Sequence, residues 1–326
     1  MIEFVKDKAL LIALIIMMAV ITIRDPNFIS GNSLLSILVQ SSTKIIIALG
    51  ISLVLLTGGV DLSAGRMVGF AAVIAASMLQ NPGYSARFFP NLPALPVILP
   101  ILLAILAVVI FGALNGILVS RFHIPPFIAT LGTMIIVYGI NSLYFNMEPN
   151  RSQPIGGLRS DFTTLGTGDI LGIPIVVIFA LVAIVGIWVL LNRTVLGKNI
   201  YAVGGNKEAA LVSGINVMLT LILVYVIAAS MYGLGGILEA ARTGGATNNY
   251  GDGYELDAIA ACVVGGVSTT GGVGKVSGIV IGALLLTIIT YGLTFIGVDP
   301  QWQFVIKGLI IVVAVGFDIR KYIMKK

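Results

Sequence analysis

Long, nearly uninterrupted runs of apolar residues recur from one end of this sequence to the other, separated by short polar segments. A helix needs roughly 20 mostly apolar residues to cross a hydrocarbon core roughly 30 Å thick, where only internal hydrogen bonds satisfy the backbone. The pattern therefore predicts an all-α integral membrane protein, a polytopic bundle of about ten transmembrane helices. The predicted spans are Ala9–Ile23, Leu34–Thr57, Arg66–Leu79, Leu95–Val119, Pro126–Phe145, Leu171–Leu191, Val217–Leu238, Asp257–Gly266, Val276–Ile296 and Trp302–Phe317.

Two of these spans are short. The third and the eighth have few strictly apolar residues, and each adjoins a glycine-rich turn, at Gly58–Gly59 and Gly265–Gly274. Glycine readily adopts backbone conformations that other residues avoid. We therefore expect these two helices to be broken or to cross only part of the membrane. An eight-helix bundle without them would have the same orientation.

The composition agrees with a single membrane domain over residues 1–326. Hydrophobic residues make up 58% of the chain and charged residues only 10%, whereas soluble domains are about a quarter charged. The sequence contains one cysteine, one histidine and no clustered carboxylates. We therefore predict no metal site, and we do not expect the chain to be an enzyme.

The net charge of +5 does not indicate binding to nucleic acid, because the distribution of the basic residues along the chain is explained by membrane topology. Placing both termini in the cytoplasm puts most of the 19 lysines and arginines on the cytoplasmic side, as the positive-inside rule requires. In this topology Arg66 anchors the third span at the cytoplasmic headgroups. The segment Ala240–Glu255 lies outside.

The cytoplasmic loop 192–216 contains a sequence typical of a short surface helix, which we name the docking segment (Asn206–Gly214). Asn206 can cap its N-terminus, Glu208 favours the positive end of the helix dipole, and Gly214 can supply a left-handed stop. The small side chains of Ala209 and Ala210 allow a partner protein to approach closely. From these physical arguments alone, an ordinary capped loop helix is the favoured explanation of the segment.

Four segments of the chain resemble one protein family. Glu208-Ala209-Ala210, followed three residues later by Gly214, resembles the loop by which permease subunits of bacterial ATP-binding cassette (ABC) importers dock onto their ATPase. The stretch Thr57–Arg66 is similar to the Asp-Leu-Ser-x-Gly signature of ribose/galactose-type sugar permeases. Further similarity runs through Gly112–Met134 and Gly244–Gly274, so the resemblance covers nearly the whole chain.

The signature residues have an architectural and a gating interpretation, and both remain open. Glycines at the membrane edge permit a tight turn, after which Asp61 or Ser63 can cap the next helix. The alternative is that the same turn moves during transport. The residues concerned are Gly58, Gly59, Asp61, Ser63, Gly65 and Arg66.

Polar groups inside membrane spans are functional candidates, because their exposure to lipid is costly. Asn115, Tyr138 and Asn141 are neutral hydrogen-bonding or aromatic residues of the kind that contact sugars. They are the predicted residues of a translocation path. Hydrogen bonds between helices would explain them equally well.

The resemblance implies a permease subunit in a bacterial inner membrane that imports a monosaccharide or simple glycoside of the galactose type. It also implies three protein partners: a second copy of the permease, an ATPase with two nucleotide-binding halves and a periplasmic sugar-binding protein. ATP and magnesium would bind the ATPase, so no cofactor is expected in this chain. The alternative is a secondary sugar transporter or uniporter acting alone, which would predict inverted repeats and an ionisable coupling site near the midplane.

Overall fold

A computed structural model describes residue 15 and residues 18–323 of the protein. The described part is almost entirely helical, with one two-stranded hairpin. The elements are α1 (residues 18–24), a 3-10 turn (Pro26–Ile29), α2 (Gly31–Leu56), α3 (Ala64–Met78), α4 (Ile98–Ser120), α5 (Pro126–Phe145), α6 (Ser160–Thr167), β1 (Asp169–Ile170), β2 (Ile173–Pro174), α7 (Ile175–Arg193), α8 (Val195–Gly205), α9 (Lys207–Val212), α10 (Val217–Thr243), α11 (Tyr254–Val264), α12 (Val276–Phe295) and α13 (Pro300–Ile323).

Six helices among the described residues are long and apolar enough to cross a membrane: α2, α4, α5, α7, α10 and α12. The all-α membrane fold predicted from the apolar runs is confirmed. Most of the first predicted span lies outside the described residues. The total of ten helices and the cytoplasmic position of both termini stay predictions.

Helix α10 lies at the centre of the bundle and packs against α2, α3 and α4. Close approach to α4 depends on two glycines. A Cβ atom at Gly112 would lie 2.6 Å from the Tyr225 carbonyl oxygen, and one at Gly116 would lie 2.7 Å from the Ile222 Cα. Small residues let membrane helices pack backbone against backbone. The four-residue spacing of these glycines is thus used inside the subunit.

Helices α3 and α11 are too short to cross the membrane. Their 15 and 11 residues correspond to about 22 Å and about 16 Å at 1.5 Å per residue, against a hydrocarbon core about 30 Å thick. These are the two helices that the sequence predicts to be broken or partly spanning. The position of each helix in the bundle is set by the non-helical segment that precedes it.

The loops that follow α3, α5 and α10 are tied to one another. Gln80 forms an isolated β-bridge with Leu158, and Ile155 forms another with Ala246. Gln80 also donates a hydrogen bond to the Gly156 carbonyl, at 2.8 Å. These segments therefore cover one end of the bundle and do not form a separate domain.

Candidate functional site

Two non-helical segments lead into the short helices. Residues 57–63 connect α2 to α3, and residues 244–253 connect α10 to α11. A Cβ atom at Gly65 would collide with both the Gly251 carbonyl oxygen and the Glu255 carboxylate, so only glycine allows this contact. The N-terminal ends of α3 and α11 consequently meet inside the bundle.

The length of α10 shows how deep this meeting point lies. A Cβ atom at Gly59 would be 3.3 Å from the Tyr225 hydroxyl, and one at Gly236 would collide with the Val68 carbonyl oxygen. Residues 225 and 236 are about 16 Å apart along a helix. Between Gly59 and Val68 the chain therefore passes through the interior of the bundle, and Arg66 lies in this interior.

Five residues form a polar group at the meeting point, which we name the midspan cluster: Arg66, Tyr138, Asn141, Asn248 and Asp252. Arg66 Nη2 forms an ion pair with Asp252 Oδ1 at 2.6 Å, and the Arg66 guanidinium carbon lies 4.5 Å from the centre of the Tyr138 ring. Asn141 Nδ2 donates to the Asn248 carbonyl at 3.4 Å. The cluster thus joins α3, α5 and the segment leading into α11.

The midspan cluster has unused hydrogen-bonding capacity. Arg66 Nη1 and Asn141 Oδ1 are both buried, and neither has a hydrogen-bond partner among the described residues. One is a donor and the other an acceptor. The cluster also has open edges, because the Asp252 side chain is 65% exposed and Tyr138 is 38% exposed. The cluster therefore holds one donor and one acceptor that no described residue uses.

A second polar group, the clamp network, consists of Asp61, Ser63, Asn115, Thr130 and Thr133. Ser63 Oγ donates to Asp61 Oδ1 at 2.5 Å and accepts from Asn115 Nδ2 at 3.0 Å. Thr133 Oγ1 donates to Asn115 Oδ1 at 2.6 Å. Thr130 Oγ1 accepts from the Leu62 amide at 3.1 Å. These bonds hold residues 60–63 against α4 and α5.

The structure corrects two expectations for the signature. Arg66 does not anchor α3 at the cytoplasmic headgroups, because its guanidinium lies between Asp252 and Tyr138 in the bundle interior. Ser63 occupies the N-cap position of α3 without accepting a cap hydrogen bond through its side chain. Asp61 instead accepts from the Ser63 backbone amide at 3.0 Å, a turn inside the connecting segment.

The glycines of the signature have separate roles. Gly58 has a φ of +77°, in the left-handed region that glycine adopts without strain. Gly59 packs against α10, and Gly65 permits the contact between α3 and α11. The predicted tight turn therefore exists and leads the chain back into the bundle.

The three residues predicted for a translocation path are not together. Tyr138 and Asn141 belong to the midspan cluster, one turn apart on α5. Asn115 is fully buried in the clamp network, with both ends of its amide bonded within the subunit. Sequence reasoning missed Asn248 and Asp252, although their polarity directly before an apolar helix was a usable signal.

The docking segment forms the helix α9, and its ends follow the sequence prediction. Asn206 Oδ1 accepts from the Ala209 amide at 2.9 Å, Glu208 lies in the first turn, and Gly214 has a φ of +82°. Ala210 is buried, whereas Val212 is 89% exposed. The segment therefore presents an apolar surface on a well-defined helix.

Helix α8 connects the docking segment to the rest of the bundle. The Tyr201 hydroxyl donates to the Gly274 carbonyl at 2.9 Å, and burial raises the pKa of Tyr201, so this group stays a neutral donor. Glycine also brings the backbones of Gly204 and Leu56 into direct contact. The docking segment is thus attached to the end of α2, directly before the signature.

Charged groups also occur between α2, α11 and α13. Lys307 Nζ pairs with Asp257 Oδ2 at 2.9 Å, and Lys44 Nζ donates to Thr290 Oγ1 at 3.4 Å. All four residues line one cavity. The described residues contain no group of three or more histidine, cysteine or acidic side chains that could hold a metal ion.

Known proteins resemble this chain over almost its full length. Residues 33–315 match the family described as branched-chain amino acid transport system / permease component. The galactose/methyl galactoside import permease protein MglC of Escherichia coli (strain K12) is 49% identical, over 99% of this chain and 97% of its own. Its counterpart in Haemophilus influenzae is 46% identical, over 99% and 97%.

A more distant relative is the ribose import permease protein RbsC of Escherichia coli (strain K12), which is 36% identical over 98% of this chain and 95% of its own. No solved structure matches the chain. The family match, the full-length relatives and the apolar helices agree with one another. The chain therefore belongs to the branched-chain amino acid transport system / permease component family, and it is a multi-pass membrane transport subunit, not an enzyme.

Proposed function

We propose that this chain is the membrane-spanning subunit of an ATP-driven importer for galactose or a simple galactoside. The observation that carries the proposal is the 49% identity to a galactose/methyl galactoside import permease, which extends over 97% of that protein. Identity at this level and length supports the importer over a transporter that acts alone. Broken helices by themselves would suit either class.

The midspan cluster supplies the chemistry for sugar passage. A sugar presents hydroxyl groups that both donate and accept, and Arg66 Nη1 and Asn141 Oδ1 are an unpaired donor and an unpaired acceptor. The Tyr138 ring supplies an aromatic surface beside them. So few groups would bind a sugar only weakly. Weak binding suits a transport path, because a tight site inside the pore would slow release of the sugar.

The docking segment is the proposed contact for a separate ATPase. Its exposed Val212 and Leu211 provide apolar surface, and α8 connects it to the end of α2. A force on α9 would therefore reach residues 57–63, which lead to the midspan cluster. This connection is a physical route from ATP hydrolysis to the transport path.

The remaining components follow from the proposed function. The chain would act in a bacterial inner membrane as a homodimer, with one ATPase polypeptide carrying two nucleotide-binding halves. A periplasmic protein would capture the sugar and deliver it to the loops at the outer ends of α3, α5 and α10. ATP and magnesium would be bound by the ATPase. The permease chain itself would hold no cofactor.

Reconstitution tests the proposal directly. The permease alone, and the permease with its ATPase and sugar-binding protein, would be placed in proteoliposomes with labelled galactose outside. We expect uptake only from the complete system, and only with ATP on the cytoplasmic side. Uptake by the permease alone would support a transporter of the other class. Uptake of ribose in preference to galactose would contradict the substrate.

Gly214 tests the docking segment. An added methyl group meets no atom within 4 Å, so Gly214→Ala acts only through its left-handed backbone, at φ +82°. The strain of about 1–2 kcal/mol corresponds to a roughly 5- to 30-fold loss of the correctly closed segment. We expect uptake and permease-dependent ATPase activity to fall together.

Gly205→Ala is the matched control for Gly214. It adds the same methyl group at the end of α8, where there is also space and no left-handed φ. We expect uptake to stay within twofold of the original protein. Equal behaviour of the two variants would show that the conformation at Gly214 does not matter for coupling.

A further inference from the structure

A cavity of about 210 Å³ lies between the docking segment and the signature turn. It is lined by Gly59 of the turn, by the loop between α4 and α5, by Lys207 of α9 and by Tyr225 of α10. One water needs roughly 10–15 Å³ of such space, so the cavity is much larger than a water site and has room for the ring of one hexose. No residue of the midspan cluster lines it.

The floor of the cavity combines an apolar surface with one unused hydroxyl. Val119, Val203 and Leu221 are all buried there. Tyr225 is only 1% exposed, and its hydroxyl has no hydrogen-bond partner among the described residues. A buried hydroxyl without a partner costs roughly 1–3 kcal/mol. A ligand with its own hydroxyl groups would satisfy it.

The rim carries one positive charge and one imidazole. Lys207 and His123 are exposed side chains at the mouth, and neither forms an ion pair with any residue that the structure describes. His123 has a φ of +54°, which is unusual for a residue other than glycine. Strained backbone of this kind often occurs at binding sites. An anionic group at the mouth would find the Lys207 ammonium and the ring N–H of His123 as donors.

We propose that this cavity is a cytoplasmic binding site for a phosphorylated monosaccharide of hexose size. The apolar floor contacts the C–H face of the ring, the Tyr225 hydroxyl bonds one of its hydroxyl groups, and Lys207 and His123 bind the phosphate. The shape matters as well as the charge, because a free phosphate would leave the floor and the Tyr225 hydroxyl unused.

Occupancy of the site would slow import. A ligand that touches both Lys207 and Gly59 would hold this end of the bundle in one arrangement, so the signature turn could not respond to a force on α9. This second step rests on the proposed function, whereas binding itself does not. Sugar that is phosphorylated after entry would thereby limit further entry.

Binding is measured first, with the permease alone in lipid nanodiscs and galactose 6-phosphate as the probe in a calorimetric titration. We expect this compound to bind at least tenfold more tightly than either free galactose or inorganic phosphate. If inorganic phosphate bound as tightly as galactose 6-phosphate, the proposed contacts to the sugar ring would be wrong. If free galactose bound as tightly as galactose 6-phosphate, the proposed contacts to the phosphate would be wrong.

Matched variants then locate the site. Tyr225→Phe removes only the hydroxyl and should weaken binding about fivefold, the value of one neutral hydrogen bond. Its control is Tyr232→Phe, which removes an equally buried hydroxyl on the same helix, outside the cavity. Lys207→Gln should weaken binding at least as much, with exposed Lys198→Gln as its control. Equal loss in variant and control would overturn the assignment.

Uptake measures the consequence. Galactose 6-phosphate enclosed on the cytoplasmic side should slow uptake by the complete system at least threefold, and Tyr225→Phe should remove this inhibition while leaving basal uptake unchanged. Inhibition that persists in Tyr225→Phe would overturn the regulatory step. Loss of binding when the ATPase is added would show that the partner fills the cavity, which also overturns the proposal. A system that transports no galactose would refute the proposed function and leave the binding result standing.

Discussion

The clamp network and the midspan cluster occupy the same membrane interior but use their polar groups differently. In the clamp network, Asn115 makes hydrogen bonds of 3.0 Å and 2.6 Å through the two ends of its amide. In the midspan cluster, Asn141 makes one bond of 3.4 Å, and its Oδ1 has no partner among the described residues. The two asparagines have the same hydrogen-bonding groups, but Asn115 uses both ends of its amide within the protein and Asn141 uses only one.

The difference separates structure from function. A polar group that is fully bonded inside the protein stabilises one arrangement of helices, and removing it leaves its partners unsatisfied. A polar group with unused capacity costs stability unless a ligand uses it. The comparison therefore predicts opposite consequences for the same substitution at the two positions.

Asn115→Leu should have the largest effect. It removes the acceptor of Thr133 and the donor to Ser63, and each buried group left unsatisfied costs roughly 1–3 kcal/mol. We expect a loss of about 2–4 kcal/mol in the free energy of unfolding, less protein in the membrane and loss of uptake. The melting temperature of the purified permease measures it. A stable protein with a specific loss of uptake would instead place Asn115 on the path.

Arg66→Gln should have the next largest effect, on transport alone. The substitution removes the unpaired Arg66 Nη1 donor that is proposed to contact the sugar. A hydrogen bond from a charged donor is worth about 1.5–3 kcal/mol, so we expect uptake to fall at least tenfold. The Asp252 side chain is 65% exposed, so it stays solvated and the melting temperature changes little.

Arg193→Gln is the control for Arg66. Arg193 also stacks on an aromatic ring, with its guanidinium carbon 5.6 Å from the centre of the Trp188 ring, but it lies at the end of α7. Uptake should stay within twofold. A fall of the same size in both variants would mean that positive charge in general, and not the midspan position, supports transport.

Asn141→Leu should have the smallest effect of the three. It removes one long hydrogen bond and one unused acceptor, so stability should change by less than about 1 kcal/mol. Uptake should fall about fivefold, whereas stimulation of the ATPase by the loaded binding protein should remain. Destabilisation as large as that of Asn115→Leu would erase the distinction between the two polar groups.

Much of the local structure follows from the sequence. The cap at Asn206, the left-handed Gly214 and the short helices α3 and α11 all depend on residues close together in the chain. Local preferences such as these are set by backbone sterics and by hydrogen bonds over three or four residues. They can be read without knowledge of the fold.

The position of Arg66 inside the bundle could not be predicted from local sequence. Hydropathy treats a glycine-rich polar stretch as a loop outside the membrane, so Arg66 and Asp252 were assigned to opposite sides. Their contact depends on two segments that both re-enter the bundle, a long-range arrangement. The separation of Asn115 from Tyr138 likewise depends on how α4 and α5 are aligned, and no local pattern fixes that alignment.

The shortness of α3 also has a consequence for how the protein is made. Fifteen residues are fewer than the roughly 17–25 that a helix needs to span the bilayer by itself. Its tight packing partner at Gly236 belongs to α10, which leaves the ribosome much later. Until then α3 can pack only on its nearer neighbours α4 and α5, so its final position is set only when the second half of the chain arrives. Biogenesis of this subunit therefore includes an interval in which an apolar helix too short to span the bilayer has only part of its final packing surface.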